Sequence, residues 1–170
     1  MALRKRPMEI PIGTRSVVQH DVLGELIVDL NQERKRPIYP PGAPEADLLD
    51  GEIGGTIQAD GAVVTVALCP HLVTDLPTWV DRCAARFIET VARLEEIKGH
   101  VAARRPDWSE PGELPVTSAE FVGRLRLLGL CHYDDKMSAT CNDGGLYGGH
   151  FFIVTIEEDG KLDDEVHLAG

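Results

Sequence analysis

The sequence contains no apolar run that approaches the roughly 20 residues needed to cross a bilayer. Its basic start at Arg4, Lys5 and Arg6 is not followed by the apolar stretch of a secretory signal peptide. A cytoplasmic location is therefore expected. The sequence also has no internal repeat, no Gly-Lys-Ser/Thr phosphate loop and no dinucleotide-binding fingerprint. No cofactor is predicted from it.

What remains is an ordinary globular composition. The 170 residues are 43% hydrophobic and 26% charged, which suits one domain with a core of its own. Residues 1–16 have no clear periodicity and are interpreted as an N-terminal arm. Residues 17–170 are predicted to form a single α+β domain.

Strand patterns dominate both ends of this domain. Asp60-Gly61 stands between two runs rich in branched apolar residues, and such dipeptides favour hairpin turns because these turns need positive φ. Asp134-Asp135, Asn142–Gly145 and Glu158–Gly160 are further turn signals. The predicted strands are 17–18, 23–30, 52–58, 62–68, 126–133, 136–141, 150–157 and 166–168.

The middle of the chain carries helical patterns. Apolar residues step by three and four along residues 77–98, after Asp75 and Pro77, which are typical of a helix start. Gly99 is predicted to end this helix. Thr117 and Glu120 have the spacing of a capping box, which predicts a second, short helix. Hairpin-linked strands pair antiparallel, so we expect a mostly antiparallel sheet with both helices packed on one face.

Charge is unevenly distributed along the chain. The net charge is −11, and residues 107–170 contribute −9 of it, from 4 Lys/Arg and 13 Asp/Glu. This excess disfavours nucleic acid and favours a basic protein partner, although it also serves solubility. Tyr147, among glycines, is a candidate aromatic anchor. The predicted partner-binding residues are Asp134, Asp135, Tyr147, Glu157, Glu158, Asp159, Asp163 and Asp164.

The four cysteines offer weaker candidate chemistries. Cys69, Cys83, Cys131 and Cys141 contain no Cys-x-x-Cys pair, and reduced thiols are expected. Cys131 and Cys141 lie on two strands of a predicted hairpin, a placement that allows them to face each other as metal ligands and equally describes two core thiols. The sequence does not favour a metal site, because adjacent Cys and His residues in a strand point to opposite faces.

Nucleophilic catalysis has one candidate triple. Cys141 is followed by Asp143 and His150, which supply a thiol, a carboxylate and a base. The more ordinary interpretation is a core thiol, a turn aspartate and a histidine at the start of a strand. The glycine-rich stretch 144–149 precedes a strand rather than a helix, so a wide loop is favoured over phosphate binding.

The C-terminal third resembles a known family. It contains Ser118-Ala119-Glu120-Phe121, Arg124-Leu125-Arg126-Leu127, Asn142-Asp143-Gly144-Gly145-Leu146-Tyr147-Gly148-Gly149-His150 and a closing Leu168-Ala169-Gly170. These segments, with Leu23-Gly24-Glu25-Leu26 and residues 52–56, are similar to the uncharacterised bacterial domain of unknown function numbered 2262. The resemblance implies a bacterial cytoplasmic α+β domain and assigns no role to Asp143, Gly148 or His150.

Three hypotheses of function follow. Small acidic α+β proteins of this kind resemble the immunity proteins that neutralise bacterial toxins, so a non-enzymatic inhibitor that binds a basic toxin domain is the leading hypothesis. Fold alone does not fix function. The alternatives are a cysteine-dependent hydrolase or transferase that uses Cys141, Asp143 and His150, and a structural subunit of a larger assembly.

Overall fold

The computed structural model describes residues 8–32, 47–105, 116–133, 135–146 and 149–170. Within these residues the chain forms nine β-strands and three α-helices. The strands are β1 (Ser16–His20), β2 (Gly24–Gln32), β3 (Asp47–Ala59), β4 (Ala62–Cys69), β5 (Leu72–Val73), β6 (Arg126–Tyr133), β7 (Lys136–Asn142), β8 (Phe151–Ile156) and β9 (Leu162–Ala169). The helices are α1 (Leu76–Ala92), α2 (Leu94–Arg104) and α3 (Ser118–Arg124).

The sheet consists of two antiparallel meanders, β1 to β4 and β6 to β9. They join where β4 and β6 pair in parallel, here called the parallel junction. The strand order is β1-β2-β3-β4-β6-β7-β8-β9, and β5 pairs with the start of β3. A parallel pair requires a crossover connection, and the segment with the three helices supplies it. The predicted α+β class with a mostly antiparallel sheet is confirmed.

The three helices pack on one face of the sheet. The ring of Trp79 in α1 meets the ring of His132 in β6 edge to face, and Phe121 in α3 meets Phe152 in β8 in the same way. Ile97 of α2 belongs to the same core. Aromatic pairs of this geometry add to the stability that their burial supplies.

The opposite face of the sheet is here called the open face. A row of register partners runs across it from β1 to β8, and its members become smaller towards the middle of the sheet. Side chains that alternate along a strand separate cleanly into these two faces. The row consists of Val17, Ile27, Gly54, Ala67, Cys131, Ser138 and Thr155.

The long helix differs from its prediction. Asp75 caps α1 by accepting a hydrogen bond from the Thr78 N–H at 3.2 Å, as the sequence indicates. The predicted end at residue 98 is wrong, because α1 stops at Ala92 and α2 continues to Arg104. The helix breaks at Arg93, where φ is −100° and ψ is 15°. Gly99 lies inside α2 because the buried apolar stripe continues beyond it.

The predicted hairpin turn at Asp60-Gly61 is confirmed, with φ of 54° and 72°. Asp60 does more than turn the chain. Its carboxylate accepts a hydrogen bond from Lys98 Nζ at 2.8 Å and another from the Leu127 N–H at 3.1 Å. Lys98 is only 4% exposed. One turn residue therefore ties the β3–β4 hairpin to α2 and to the start of β6.

The capping box at the start of α3 is also confirmed, because the Thr117 hydroxyl accepts from the Glu120 N–H and the Glu120 carboxylate accepts from the Thr117 N–H.

Thr117→Ala should lower the free energy of unfolding by about 1 kcal/mol, since it removes one acceptor for a free helix donor. Urea denaturation measures this change. Thr117→Ser keeps the hydroxyl and should recover most of the loss; a serine variant as unstable as the alanine one would contradict the capping role.

Part of the predicted arm lies against the domain. Met8 and Ile10 pack on the core, and the Gly13 N–H donates to the Leu30 carbonyl at 2.7 Å. Among the helices that the structure describes, none is long and apolar enough to span a membrane.

Candidate functional site

The predicted acidic residues gather mainly at one end of the sheet. Asp135 lies in the β6–β7 turn, while Glu157, Glu158 and Asp159 lie in the β8–β9 turn. These four residues are here called the acidic end. Asp163 and Asp164 lie on β9 beside α2, where their backbone carbonyls accept hydrogen bonds from α2 side chains. Asp134 and Tyr147 lie outside the described residues.

Arg86 of α1 brings the two turns of the acidic end together. Its guanidinium donates to the carbonyl of Asp135 and to the carbonyl of Glu157, both at 2.8 Å. Arg93, seven residues further along, donates to the Gly160 carbonyl at 2.7 Å. Seven residues are about two helical turns, so both arginines emerge on the same side of the helix. The helix thereby fixes the backbone from which the carboxylates project.

Some of the carboxylates already have cationic partners. Glu157 pairs with Lys136 at 3.1 Å, and Asp164 pairs with Arg104 at 2.9 Å. Asp159 accepts the Lys161 N–H at 2.9 Å. Within the described residues, the exposed carboxylates of Asp135 and Glu158 form no ion pair. The carboxylates of Asp135 and Glu158 are thus available to a partner, with Asp159 beside them.

A cleft of about 440 Å³ opens beside the acidic end. Met137 and Ile156 supply apolar lining, and the guanidinium groups of Arg86 and Arg93 are engaged with backbone carbonyls. The charged lining consists of these two guanidinium groups and of three carboxylates, so the carboxylates are in the majority; they come from Glu89, Glu158 and Asp159. A cleft lined in this way suits the long stem and charged head of a lysine or arginine.

The candidate nucleophile Cys141 lies in the core. Its side chain is fully buried on the helix-covered face of β7, and burial raises the pKa of the thiol to about 12. The buried Asp143 carboxylate accepts the Gly145 N–H at 2.7 Å and shapes the turn that follows β7. His150 immediately precedes β8. A thiol that stays protonated at neutral pH is a poor nucleophile, and this weighs against catalysis by Cys141.

The structure does not place Cys131 and Cys141 face to face, so the metal-ligand alternative for this pair is excluded. The register places Ser138 opposite Cys131 and Leu127 opposite Cys141, so the two thiols lie on opposite faces. Cys131 instead lies beside Cys69 across the parallel junction, with 3.9 Å between the two Sγ atoms. Both thiols are free and half-buried on the open face. Cys69 and Cys131 are 62 positions apart in the sequence.

His132 is a buried polar residue with one contact that fixes its tautomer. It is 1% exposed, and its Nε2 lies 3.0 Å from Arg86 Nη1. An arginine can only donate, so Nε2 accepts and Nδ1 carries the proton. Within the described residues Nδ1 has no hydrogen-bond partner. Burial lowers the pKa of His132 to about 4, and the positive charges of Arg86 and Arg82 add to this effect.

Sequence reasoning found the acidic residues but missed what organises them. Arg86 and Arg93 were visible only as charges on the outer side of an amphipathic helix, and nothing local marks them as ligands for distant carbonyls. The seven-residue spacing was the available signal, since it places both side chains on one stripe.

The comparisons with known proteins assign nothing to this fold or site. No family model matches the chain, and no curated protein or solved structure is significantly similar to it. The resemblance to the domain of unknown function numbered 2262 therefore stays a prediction.

Proposed function

We propose that this chain is a non-enzymatic protein-binding domain, of the type of the bacterial immunity proteins, that binds a basic toxin domain through its acidic end. The proposal includes a cytoplasmic location and excludes nucleic acid as the partner. The observation that carries it is the pair of turns held by Arg86, from which Asp135, Glu157, Glu158 and Asp159 project together.

Pre-organisation is the physical reason to favour binding here. Carboxylates on a backbone that is already fixed lose little conformational freedom on association, so more of the attraction contributes to affinity. The excess of negative charge in residues 107–170 would also steer a basic partner towards this end. The neighbouring cleft offers a place for one basic side chain of the partner.

The burial of Cys83 and Cys141 weighs against catalysis by either of these two thiols. Burial raises the pKa of Cys83 and of Cys141 to about 12 each. Neither thiol has the thiolate character that a nucleophilic enzyme requires at neutral pH.

The test compares two triple variants with matched charge changes as baits for affinity capture from the host lysate. Asp135→Asn/Glu158→Gln/Asp159→Asn alters the acidic end, and asparagine at 159 can still accept the Lys161 N–H. The triple variant should lose the stoichiometric partner that the unchanged protein retains. With the purified partner, its association rate at low salt should fall roughly tenfold or more.

The matched control alters three exposed carboxylates on the other meander, Glu25→Gln/Asp29→Asn/Asp50→Asn. Its association rate should stay close to that of the unchanged protein. An equal loss in both triples would attribute the effect to net charge alone and contradict a localised acidic site. An association rate that does not change with ionic strength would contradict electrostatic steering. Coexpression tests the immunity role: the unchanged protein, but not the acidic-end triple, should relieve toxicity of the captured partner.

A further inference from the structure

Two cysteine sulfurs meet on the open face at the parallel junction. Cys69 comes from the end of β4 and Cys131 from β6, and their Sγ atoms are 3.9 Å apart. Their strands belong to different meanders, so the register of the junction sets the spacing of the sulfurs. Both residues are half-buried, so neither sulfur is sealed in the core.

The separation suits a bridging ion better than a disulfide. A disulfide bond is about 2.05 Å long, so the two sulfurs would have to approach by about 1.9 Å. Two sulfurs 3.9 Å apart subtend about 116° at an ion with metal–sulfur bonds of about 2.3 Å, the length found in zinc thiolates. This angle lies between the tetrahedral and the trigonal values. The sulfurs therefore already stand where two ligands of one ion would be.

The charge near the pair favours a cation. The carboxylate of Glu52 lies close enough to act on both Cys69 and Cys131. A positive ion bound between the two sulfurs would offset the repulsion between this carboxylate and the thiolates.

We propose that Cys69 and Cys131 form a two-thiolate site for a soft, low-coordinate metal ion, the class that Cu(I) represents. Thiolate sulfur selects soft ions over Mg²⁺ or Ca²⁺. Within the described residues, no group of three His, Cys, Asp or Glu side chains is placed to hold a metal, which disfavours a closed four-ligand zinc site. Any further ligand of the ion comes from solution. The site is distinct from the acidic end and does not depend on partner binding.

Binding is a ligand exchange without electron transfer. Each thiol releases its proton to the buffer, two S–Cu(I) bonds form, and the chelator that delivered the ion leaves. Copper stays monovalent throughout, and the bound pair carries one net negative charge. Proton release makes the apparent affinity rise with pH.

The experiment uses the full chain under reducing conditions and Cu(I) delivered as its complex with bathocuproine disulfonate. The loss of the chelator complex's absorbance measures transfer to the protein. We expect one ion per chain. Loss of an outer-shell partner alone costs about 10- to 100-fold in metal affinity, so Cys69→Ser and Cys131→Ser should each weaken binding by more than roughly 100-fold. Cys83→Ala, in the core, should leave the affinity unchanged.

Three other outcomes would contradict the proposal. Equal Cu(I) affinity in the double variant Cys69→Ser/Cys131→Ser would place the ion elsewhere, and full affinity with one cysteine removed would exclude a two-thiolate site. A redox pair would be identified by two observations together. Glutathione disulfide would remove two free thiols from the protein, and the reduced protein would not retain copper. The circular dichroism spectrum of each serine variant is compared with that of the unchanged protein. An unchanged spectrum shows that weaker binding reflects the lost ligand and not a folding defect.

Discussion

Lys98→Met is expected to lower the free energy of unfolding at pH 7 by about 3–5 kcal/mol, because it leaves the carboxylate of Asp60 buried without its cation. The two groups are 2.8 Å apart, with side chains 5% and 15% exposed. Methionine matches the length of the lysine stem, so the packing of α2 changes little. Urea denaturation gives the difference in free energy.

A double-mutant cycle separates the charge effect from packing. Asp60→Asn is the matched partner variant, because asparagine tolerates the left-handed φ of 54° at this turn. The double variant Asp60→Asn/Lys98→Met removes both charges, so it should be more stable than the sum of the single losses predicts. Additive losses would show that the pair is not coupled and would contradict this account.

The pH dependence of Lys98→Met provides a second check. Burial alone raises the pKa of Asp60, but the hydrogen bonds from Lys98 and from the Leu127 N–H outweigh it and leave the pKa lowered. In the native protein this group therefore contributes stability above the ordinary aspartate pKa, and the contribution is lost as pH falls through its lowered value. Without Lys98 the pKa of Asp60 loses two of the effects that lower it, so the deficit of the variant should shrink on acidification.

Acidification is expected to destabilise the protein through His132. Its pKa of about 4 lies below the ordinary 6.5, so between these values the unfolded chain binds a proton that the folded chain does not. The contribution of His132 to the free energy of unfolding is fully present above about pH 6.5. It is lost as the pH falls towards 4, and the loss reaches about 3 kcal/mol. Protonation would also place a positive imidazolium 3.0 Å from the Arg86 guanidinium. The two turns of the acidic end would lose their shared anchor.

The measurement compares unfolding free energies of the native protein and His132→Gln between pH 7.5 and pH 4.5. Glutamine can still accept from Arg86 but does not titrate, so the difference between the two curves isolates His132. The native protein should lose more stability over this range than the variant does. Parallel curves for the native protein and His132→Gln would contradict the prediction.

Local signals in the sequence predicted local structure well. The Asp60-Gly61 turn, the Asp75 cap and the Thr117–Glu120 capping box each depend on a few adjacent residues, and all three are confirmed. The predicted strand 126–133 has the bounds of β6. The helix break at Arg93 escaped prediction, because the apolar period continues through it and no glycine or proline marks it.

Contacts between distant segments could not be predicted in the same way. Pairing of β4 with β6 has no turn signal, because the two strands are parallel and separated by the helical segment. Since that pairing was not visible in the sequence, Cys69 was not recognised as the neighbour of Cys131. Lys98 and Arg86 likewise look like ordinary surface charges in the sequence, whereas their partners are 38 to 71 positions away.

The parallel junction also has a consequence for how the chain folds. Each meander can form from neighbouring hairpins, but β4 and β6 can meet only after residues 70–125 have been brought into a closed loop. Loop-closure entropy must be overcome before such a non-local pair gains stability, so this step is the natural kinetic barrier. Until it is crossed, two apolar strand edges stay unpaired, and in that interval intermolecular strand pairing competes with folding.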